Sequence, residues 1–202
     1  KDYTILIPEM SPIHFQFIET AMACEGYKVK LLPTVDKNAV DEGLRYINND
    51  ACYPTIVTLG QIISYLKSGE VDLNKVGIFM SQTGGGCRAS NYVALLRKAL
   101  KDMGMEQIPV ISVNMAGLEK NPGFKISKGI IKRGMMAIMY GDLLMRVLYA
   151  TRPYEKVPGS ANALYEECCD MIRDNIVSGD MKEYKRLMKV IVEKFDQLPL
   201  LD

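Results

Sequence analysis

Residues 76–87 read Val76-Gly77-Ile78-Phe79-Met80-Ser81-Gln82-Thr83-Gly84-Gly85-Gly86-Cys87, an apolar run that passes directly into a glycine-rich loop. The run has the length and the hydrophobicity of a buried strand. Apolar residues then recur at helical spacing over residues 92–103, which predicts a helix after the loop. The stretch therefore indicates a strand–loop–helix unit, the building block of a parallel α/β sheet.

The same alternation extends to both sides of this unit. Three further apolar runs, at residues 3–7, 29–32 and 109–113, read as strands, and helical periodicity separates them. Parallel strands that are joined by helices are buried on both faces of their sheet. We therefore predict an α/β fold with a mostly parallel, Rossmann- or flavodoxin-like sheet of about four strands, covered by helices.

The pattern changes after Gly117. A long apolar helix is predicted over about residues 126–149, and two amphipathic helices follow it. We predict an α/β domain at residues 1–117 and a helical segment at residues 118–202 that packs on it. Because Lys1 is not a methionine and a strand begins almost at once, we interpret the chain as a piece of a longer protein.

Composition and charge exclude several classes of function. Apolar residues make up 48% of the 202 residues, which suits a globular core rather than disorder. A net charge of +1 gives no field that would attract nucleic acid or an anionic membrane. The apolar stretches are far shorter than the roughly 20 residues of a membrane span. Five cysteines without disulfide spacing indicate a reducing cytoplasm.

Two cysteines stand where a polar or glycine-rich loop meets the start of a helix. Cys52 follows Asn48-Asn49-Asp50-Ala51, and Cys87 ends the glycine-rich loop. The free N–H groups and the dipole of a helix N-terminus favour an anion, so both positions favour thiolate, the form that binds metals. We expect both thiols at the carboxyl edge of the sheet, close enough to ligate one metal centre. A metal or redox centre is the hypothesis that follows.

The residues around Cys87 leave several functions open. Gly84, Gly85 and Gly86 offer backbone N–H groups to a phosphate, a carboxylate or a cluster sulfide, or they form a tight turn. The spacing matches neither a Walker A loop nor GxGxxG, so it does not favour a nucleotide. Gln82 and Arg88 are candidates to supply a hydrogen bond and a positive charge beside a bound group.

The spacing of the two cysteines limits the kind of metal site. Cys52 and Cys87 are 35 residues apart (87 − 52 = 35), which excludes a local zinc knuckle. Two thiolates do not complete a cubane cluster, which usually takes four. Cys168 is a candidate third ligand, although it shares a helix face with Leu164 and Ile172 and fits a core position better. A residue outside this chain segment or a partner protein is the other source.

The remaining chemistry-bearing residues carry less specific signals. His14, the single histidine, fits a capping or half-buried position near the first strand and stays a candidate proton donor. Ser11 precedes it, and we expect both to face a substrate or a partner. Cys24 fits a packing role. Cys169 is adjacent to Cys168, so we expect it on a different face of its helix.

Two motifs resemble those of the 2-hydroxyglutaryl-CoA dehydratase superfamily. They are Asn49-Asp50-Ala51-Cys52-Tyr53-Pro54, followed by Gly60-Gln61, and Gln82-Thr83-Gly84-Gly85-Gly86-Cys87-Arg88-Ala89-Ser90-Asn91-Tyr92. They are most similar to the dehydratase-like domains of long activase-related proteins, in which an ATPase activator region is joined to such domains. The resemblance covers residues 3–113 well and the helical segment only loosely.

This resemblance implies a four-iron four-sulfur cluster held by three cysteines per subunit, with Cys52 and Cys87 matching two of them. It also implies that an ATP-hydrolysing activator supplies electrons. In true dehydratases, one electron converts a 2-hydroxyacyl-CoA into a ketyl radical that eliminates water. The present chain is shorter than a true dehydratase subunit, and no basic cluster matches the phosphates of an acyl-CoA substrate.

We therefore predict an iron–sulfur, electron-accepting domain related to the 2-hydroxyacyl-CoA dehydratase system. The N–H groups of Gly84–Gly86 would offset the negative charge of the sulfides, which raises the reduction potential. Two alternatives stay open. One is a cluster-free scaffold or partner-docking module of a larger activase-related protein, and the other is a redox protein that uses Cys52 and Cys87 as a dithiol.

Overall fold

The computed structural model describes residues 2–32, 36–82, 88–114, 117–118 and 123–201. The strands in these ranges are β1 Thr4–Pro8, β2 Lys28–Leu32, β3 Val76–Gln82, β4 Val110–Asn114 and β5 Gly117–Leu118. The helices are α1 Pro12–Ala23, α2 Lys37–Tyr46, α3 Tyr53–Lys67, α4 Tyr92–Asp102, α5 Lys128–Thr151, α6 Ser160–Ser178 and α7 Met181–Asp196. Short 3₁₀ helices lie at Arg88–Asn91 and Arg152–Tyr154.

The first four strands form a parallel sheet in the order β2-β1-β3-β4. In its centre, Leu6 of β1 lies between Lys30 of β2 and Ile78 of β3. The predicted α/β fold with a mostly parallel sheet is therefore confirmed. The two-residue strand β5 pairs antiparallel with the end of β4, which the sequence pattern did not predict.

Local sequence signals fix where several helices begin. Asp36 caps α2 because its carboxylate accepts a 2.8 Å hydrogen bond from the N–H of Ala39. Ser127 caps α5 and Asp180 caps α7 in the same way. Pro54 lies in the first turn of α3, where a backbone N–H has no partner within the helix. Asp36 and Pro54 are thus local signals that mark where their helices begin.

The chain divides into two compact units. The sheet unit comprises Lys1–Met10 and Gly26–Lys125, and the helical unit comprises Ser11–Glu25 and Ile126–Asp202. Helix α1 therefore groups with the C-terminal helices. The sequence predicted a boundary between residues 117 and 118, and it did not predict that α1 belongs to the helical unit.

Each unit has its own hydrophobic core. In the sheet unit, α3 and α4 pack against the strands, and α2 packs against α3. The fully buried residues of this core include Leu6, Leu59, Ile62, Ile63, Ile78, Met80 and Leu96. In the helical unit, α1, α5, α6 and α7 pack together around Phe17, Tyr140, Leu144, Ile172 and Ile191. Over the described residues, none of the helices combines the length and the hydropathy that crossing a bilayer requires.

Candidate metal site at the carboxyl edge of the sheet

Cys52 is the N-cap residue of α3. Its backbone is extended (φ −62°, ψ 147°), and its carbonyl accepts hydrogen bonds from the N–H groups of Thr55 and Ile56 at 2.9 and 3.3 Å. Its Sγ lies 2.9 Å from the hydroxyl oxygen of Thr55. The residue is exposed. The thiol of Cys52 thus lies at the positive end of a helix dipole, where negative charge is stabilised.

The prediction that Cys52 lies at the carboxyl edge requires α3 to run antiparallel to the strands of the sheet. Lys75, just before β3, lies at the opposite, amino edge, because its carbonyl accepts a 2.8 Å hydrogen bond from the N–H of Thr4 at the start of β1. Helix α3 ends at Lys67, only a few residues before this point. Its 15 residues span about 22 Å, which is long enough to carry Cys52 from the amino edge to the carboxyl edge, and the placement of Cys52 at that edge stays a prediction.

The strand order identifies the crevice beside which a ligand would bind. The chain passes from β1 outward to β2 and then returns to β3 on the other side of β1. In parallel sheets, ligands bind at such a switch point, beyond the carboxyl ends of the two central strands. The glycine-rich loop follows β3, and residues Glu9 and Met10 follow β1.

The structure describes the residues on both sides of the glycine-rich loop but not the loop itself. Gln82 is the last residue of β3 and pairs with Asn114 of β4, and Arg88 opens the 3₁₀ turn that precedes α4. The loop therefore lies between β3 and α4. Thr83, Gly84, Gly85, Gly86 and Cys87 lie outside the described residues, as do the side chains of Gln82 and Arg88. The approach of Cys87 to Cys52 stays a prediction.

Glu9 is a titratable group of the sheet unit at the carboxyl end of β1. Its backbone N–H donates a 3.3 Å hydrogen bond to the carbonyl of Leu32 at the end of β2. Partial burial raises the pKa of its carboxyl group above the ordinary value. A protonated carboxyl group is therefore more easily retained here than at an exposed position. The next residue, Met10, packs against the core of the sheet unit.

In the helical unit, Ser11, His14 and Asp142 form a hydrogen-bonded chain. The Oγ of Ser11 lies 2.8 Å from Nδ1 of His14, and Nε2 of His14 lies 3.0 Å from Oδ1 of Asp142. The ring of His14 is also pressed against Gly141, where a β-carbon would overlap with it. His14 thus links α1 to α5 and is largely buried, as one of its two sequence interpretations predicted.

Asp142 was missed by the sequence analysis. It lies 128 residues from His14 in the chain, so no local motif joins the two. A signal was nevertheless present, because Gly141-Asp142 interrupts an otherwise apolar helical stretch. A small residue next to an acid in such a stretch favours a close polar contact with another element.

The remaining described cysteines differ sharply in accessibility. Cys24 is exposed, whereas Cys168 and Cys169 are completely buried. Burial raises the pKa of the Cys168 thiol to about 12, and it also raises the pKa of Cys169. Both cysteines are buried although adjacent residues lie on different faces of a helix, because α6 packs against α1, α5 and α7 at once. Cys168 has the core position that its pattern favoured.

The described side chains do not by themselves complete a metal site. Nowhere in residues 2–32, 36–82, 88–114, 117–118 and 123–201 do three or more histidine, cysteine or carboxylate side chains form a group suited to a metal ion. A site at the carboxyl edge would therefore need Cys87 together with ligands beyond the described side chains. Comparison with known proteins adds no assignment: the chain matches no family model, no curated protein and no solved structure.

Proposed function

We propose that this chain is an iron–sulfur, electron-accepting domain related to the 2-hydroxyacyl-CoA dehydratase system and located in the cytoplasm. Cys52 and Cys87 would be two ligands of a four-iron four-sulfur cluster. The observation that carries the proposal is the position of Cys52, an exposed residue at the N-cap of α3, where the helix dipole stabilises a thiolate. Both sequence motifs of the resemblance are predicted to lie at the carboxyl edge of the sheet.

The chemistry of the residues present suits an iron–sulfur cluster. Iron–sulfur clusters are held by thiolates, and Cys52 offers a thiol on an exposed residue at the positive end of the dipole of α3. Thr55 lies close enough to donate a hydrogen bond to that sulfur. The buried Cys168, with its raised pKa, does not fit the third ligand. We therefore assign the third ligand to a residue outside the described side chains or to a partner protein.

A bound four-iron four-sulfur cluster supplies one-electron chemistry, which protein side chains alone do not provide. The role of this chain is to hold and tune it. The N–H groups of Gly84–Gly86 and the positive charge of Arg88 would offset the negative charge of the sulfides, and Gln82 would supply a further hydrogen bond. We propose that the electrons come from an ATP-dependent activator protein or a fused activase domain. Acyl-CoA binding and a lyase activity are not part of the proposal.

The first test is anaerobic reconstitution with iron and sulfide. The wild-type protein should bind iron and sulfide in equal amounts and develop broad visible absorption, which Cys52→Ser and Cys87→Ser should abolish. Cys24→Ser is the matched control, because Cys24 is also exposed but lies outside the proposed site. Retention of the absorption in both Cys52→Ser and Cys87→Ser would refute the ligand assignment. Two thiols that titrate as a pair without binding iron would favour the dithiol alternative.

The second test addresses electron acceptance. The reconstituted protein, mixed with the activator and ATP, should give an electron paramagnetic resonance signal of a reduced cluster. Omission of ATP should prevent the signal, whereas chemical reduction should restore it. If the cluster forms but only a chemical reductant reduces it, the chain binds a cluster but does not accept electrons from the activator. Absence of a cluster, together with stable binding to the activator, would support the docking-module alternative.

A further inference from the structure

Helix α5 carries a row of large apolar side chains on the face that the described part of the chain leaves exposed. Its opposite face belongs to the core of the helical unit, where Tyr140 and Leu144 are buried. The exposed positions follow one another at alternating intervals of four and three residues. We call them the α5 seam, and they are Ile131, Met135, Ile138, Asp142, Met145 and Tyr149.

The spacing of the seam indicates what kind of surface would cover it. Steps of four and three residues average 3.5, which is the repeat that keeps one face of a helix against a second helix in a coiled coil. The inner face of α5 already supplies the apolar stripe that packing within its own unit requires. The outer row is not needed for the fold of the unit, and it fits another helix.

The size of the seam suits a stable interface. Its five apolar residues, together with the adjacent Met139, are each 37–57% exposed. At roughly 200 Å² for a whole large residue, they present about 600 Å² of apolar surface. An apolar patch of about 600 Å² is at the upper end of what monomeric proteins expose. Two such faces would bury about 1,200 Å² together, the lower limit for a specific and stable interface.

A second copy of the chain meets these requirements. The interface reaches a stable size only if the partner brings an equally large seam, and a second copy does so through two-fold symmetry. In an antiparallel pair of α5 helices, Ile131 of one copy lies opposite Tyr149 of the other. Met135 lies opposite Met145 in the same register, so every apolar residue of the seam meets another seam residue.

Asp142 determines the direction of the pair. It is the one charged residue of the seam, and its Oδ1 lies 3.0 Å from Nε2 of His14 in its own chain. A parallel pair would set the Asp142 carboxylates of the two copies against each other, and like charges at short range repel. The antiparallel pair sets Asp142 against Ile138 of the second copy, and Asp142 keeps its partner within its own chain.

We propose that the chain forms a symmetric homodimer in which the α5 seams of two copies pack antiparallel. Each copy contributes the same face, so the assembly closes at two chains. The inference does not depend on the proposed cluster.

Sedimentation equilibrium of the full chain tests the dimer at about 1–100 μM, since interfaces of modest size have dissociation constants up to the micromolar range. The wild type should be dimeric at the upper end, and Met135→Glu and Ile138→Glu should each weaken the dimer about tenfold or more. Val177→Glu, at an exposed apolar position of α6, should leave it unchanged. Circular dichroism checks that the variants fold. A chain that stays monomeric throughout, or a dimer that both seam variants retain, overturns the proposal.

Chemical cross-linking tests the direction of the pair, in a chain that carries Cys24→Ser, Cys52→Ser and Cys87→Ser. A thiol reagent that spans about 10 Å can join neighbouring helices, whose axes lie about 8–10 Å apart. It should link Ile131→Cys to Tyr149→Cys in a mixture of the two variants. It should not link either variant to itself, because the antiparallel pair separates two copies of one position by about 27 Å along the helix. Linkage of each variant only to itself would indicate a parallel pair and overturn the proposal.

A lipid surface is the other occupant to test, because Lys132 and Arg146 flank the seam with positive charge. The wild type should not sediment with vesicles of phosphatidylcholine and phosphatidylserine. A chain that is monomeric in solution and binds these vesicles, with the binding lost in Met135→Glu, would use the seam on a membrane and overturn the proposal.

Discussion

The α-carbon of Gly60 lies so close to the main-chain carbonyl of Ala39 that a β-carbon at residue 60 would overlap with its oxygen. The same relationship holds one turn along the helices, where a β-carbon on Gly43 would overlap with the carbonyl oxygen of Ile56. Two glycines thus allow α2 and α3 to touch through their backbones. This contact sets the position of α3, which carries Cys52 at its start.

Gly60→Ala should therefore destabilise the protein. Since the added methyl group meets backbone rather than a movable side chain, we expect the free energy of unfolding to fall by about 1–3 kcal/mol. Gly134→Ala in α5 is the control, because a β-carbon there meets nothing within 4 Å. It should instead stabilise the helix by about 0.5–1 kcal/mol. Urea denaturation measures both changes, and equal effects of the two substitutions would contradict the close contact.

The four described cysteines should differ in reactivity in the native protein. Iodoacetamide should modify the exposed Cys24 and Cys52 readily, whereas Cys168 and Cys169 should remain protected, because they are buried and their raised pKa values disfavour the thiolate. Peptide mapping by mass spectrometry measures the modification at each position. In urea the protection should disappear. Rapid labelling of Cys168 before unfolding would contradict its place in the core.

Glu9→Gln should alter the pH dependence of stability. Because the folded state raises the pKa of this carboxyl group, its favourable contribution is complete below the ordinary value of 4.5 and is lost as pH rises through the folded value. The variant should therefore be more stable than the wild type at neutral pH, and this advantage should vanish in acid. Chemical denaturation across the pH range measures the difference. Glu193→Gln, an exposed substitution on α7, controls for the chemical change.

Tyr140→Phe should weaken the core of the helical unit. The buried hydroxyl of Tyr140 donates a 2.8 Å hydrogen bond to Oδ1 of Asn175. Loss of the hydroxyl leaves that buried oxygen without a hydrogen-bond donor, so we expect the free energy of unfolding to fall by about 1–3 kcal/mol. Tyr149→Phe, at an exposed position of the same helix, should change it by less than about 0.5 kcal/mol. Similar effects of both substitutions would contradict the role of this hydrogen bond.

The strands and helix starts were predictable because their signals are local. An apolar run next to a helical repeat was enough for the parallel sheet, and Asp36 and Pro54 mark their helix starts through interactions within one turn. Cys169 could not be placed in the same way. Periodicity identifies the face that one neighbour covers, whereas α6 has neighbours on three sides.

The candidate sites likewise contain residues that local signals place and residues that only the tertiary fold places. The place of Cys52 at the start of a helix was predicted from the local sequence and is confirmed. The partnership of His14 with Asp142 did not, because only the tertiary fold brings α1 against α5. The α5 seam was visible in the sequence only as part of a long apolar helix. Which of its apolar residues stay exposed depends on where α1, α6 and α7 pack against α5.

The grouping of α1 with α5, α6 and α7 has a consequence for synthesis on the ribosome. After α1 is synthesised, residues 26–125 must follow before its packing partners are made. Until then Ile13, Phe17 and Ala21, which are buried in the finished unit, have no α5 to cover them. The nascent chain therefore carries an apolar helix that is exposed to chaperones and to aggregation, and a product shortened after residue 125 would keep it uncovered permanently.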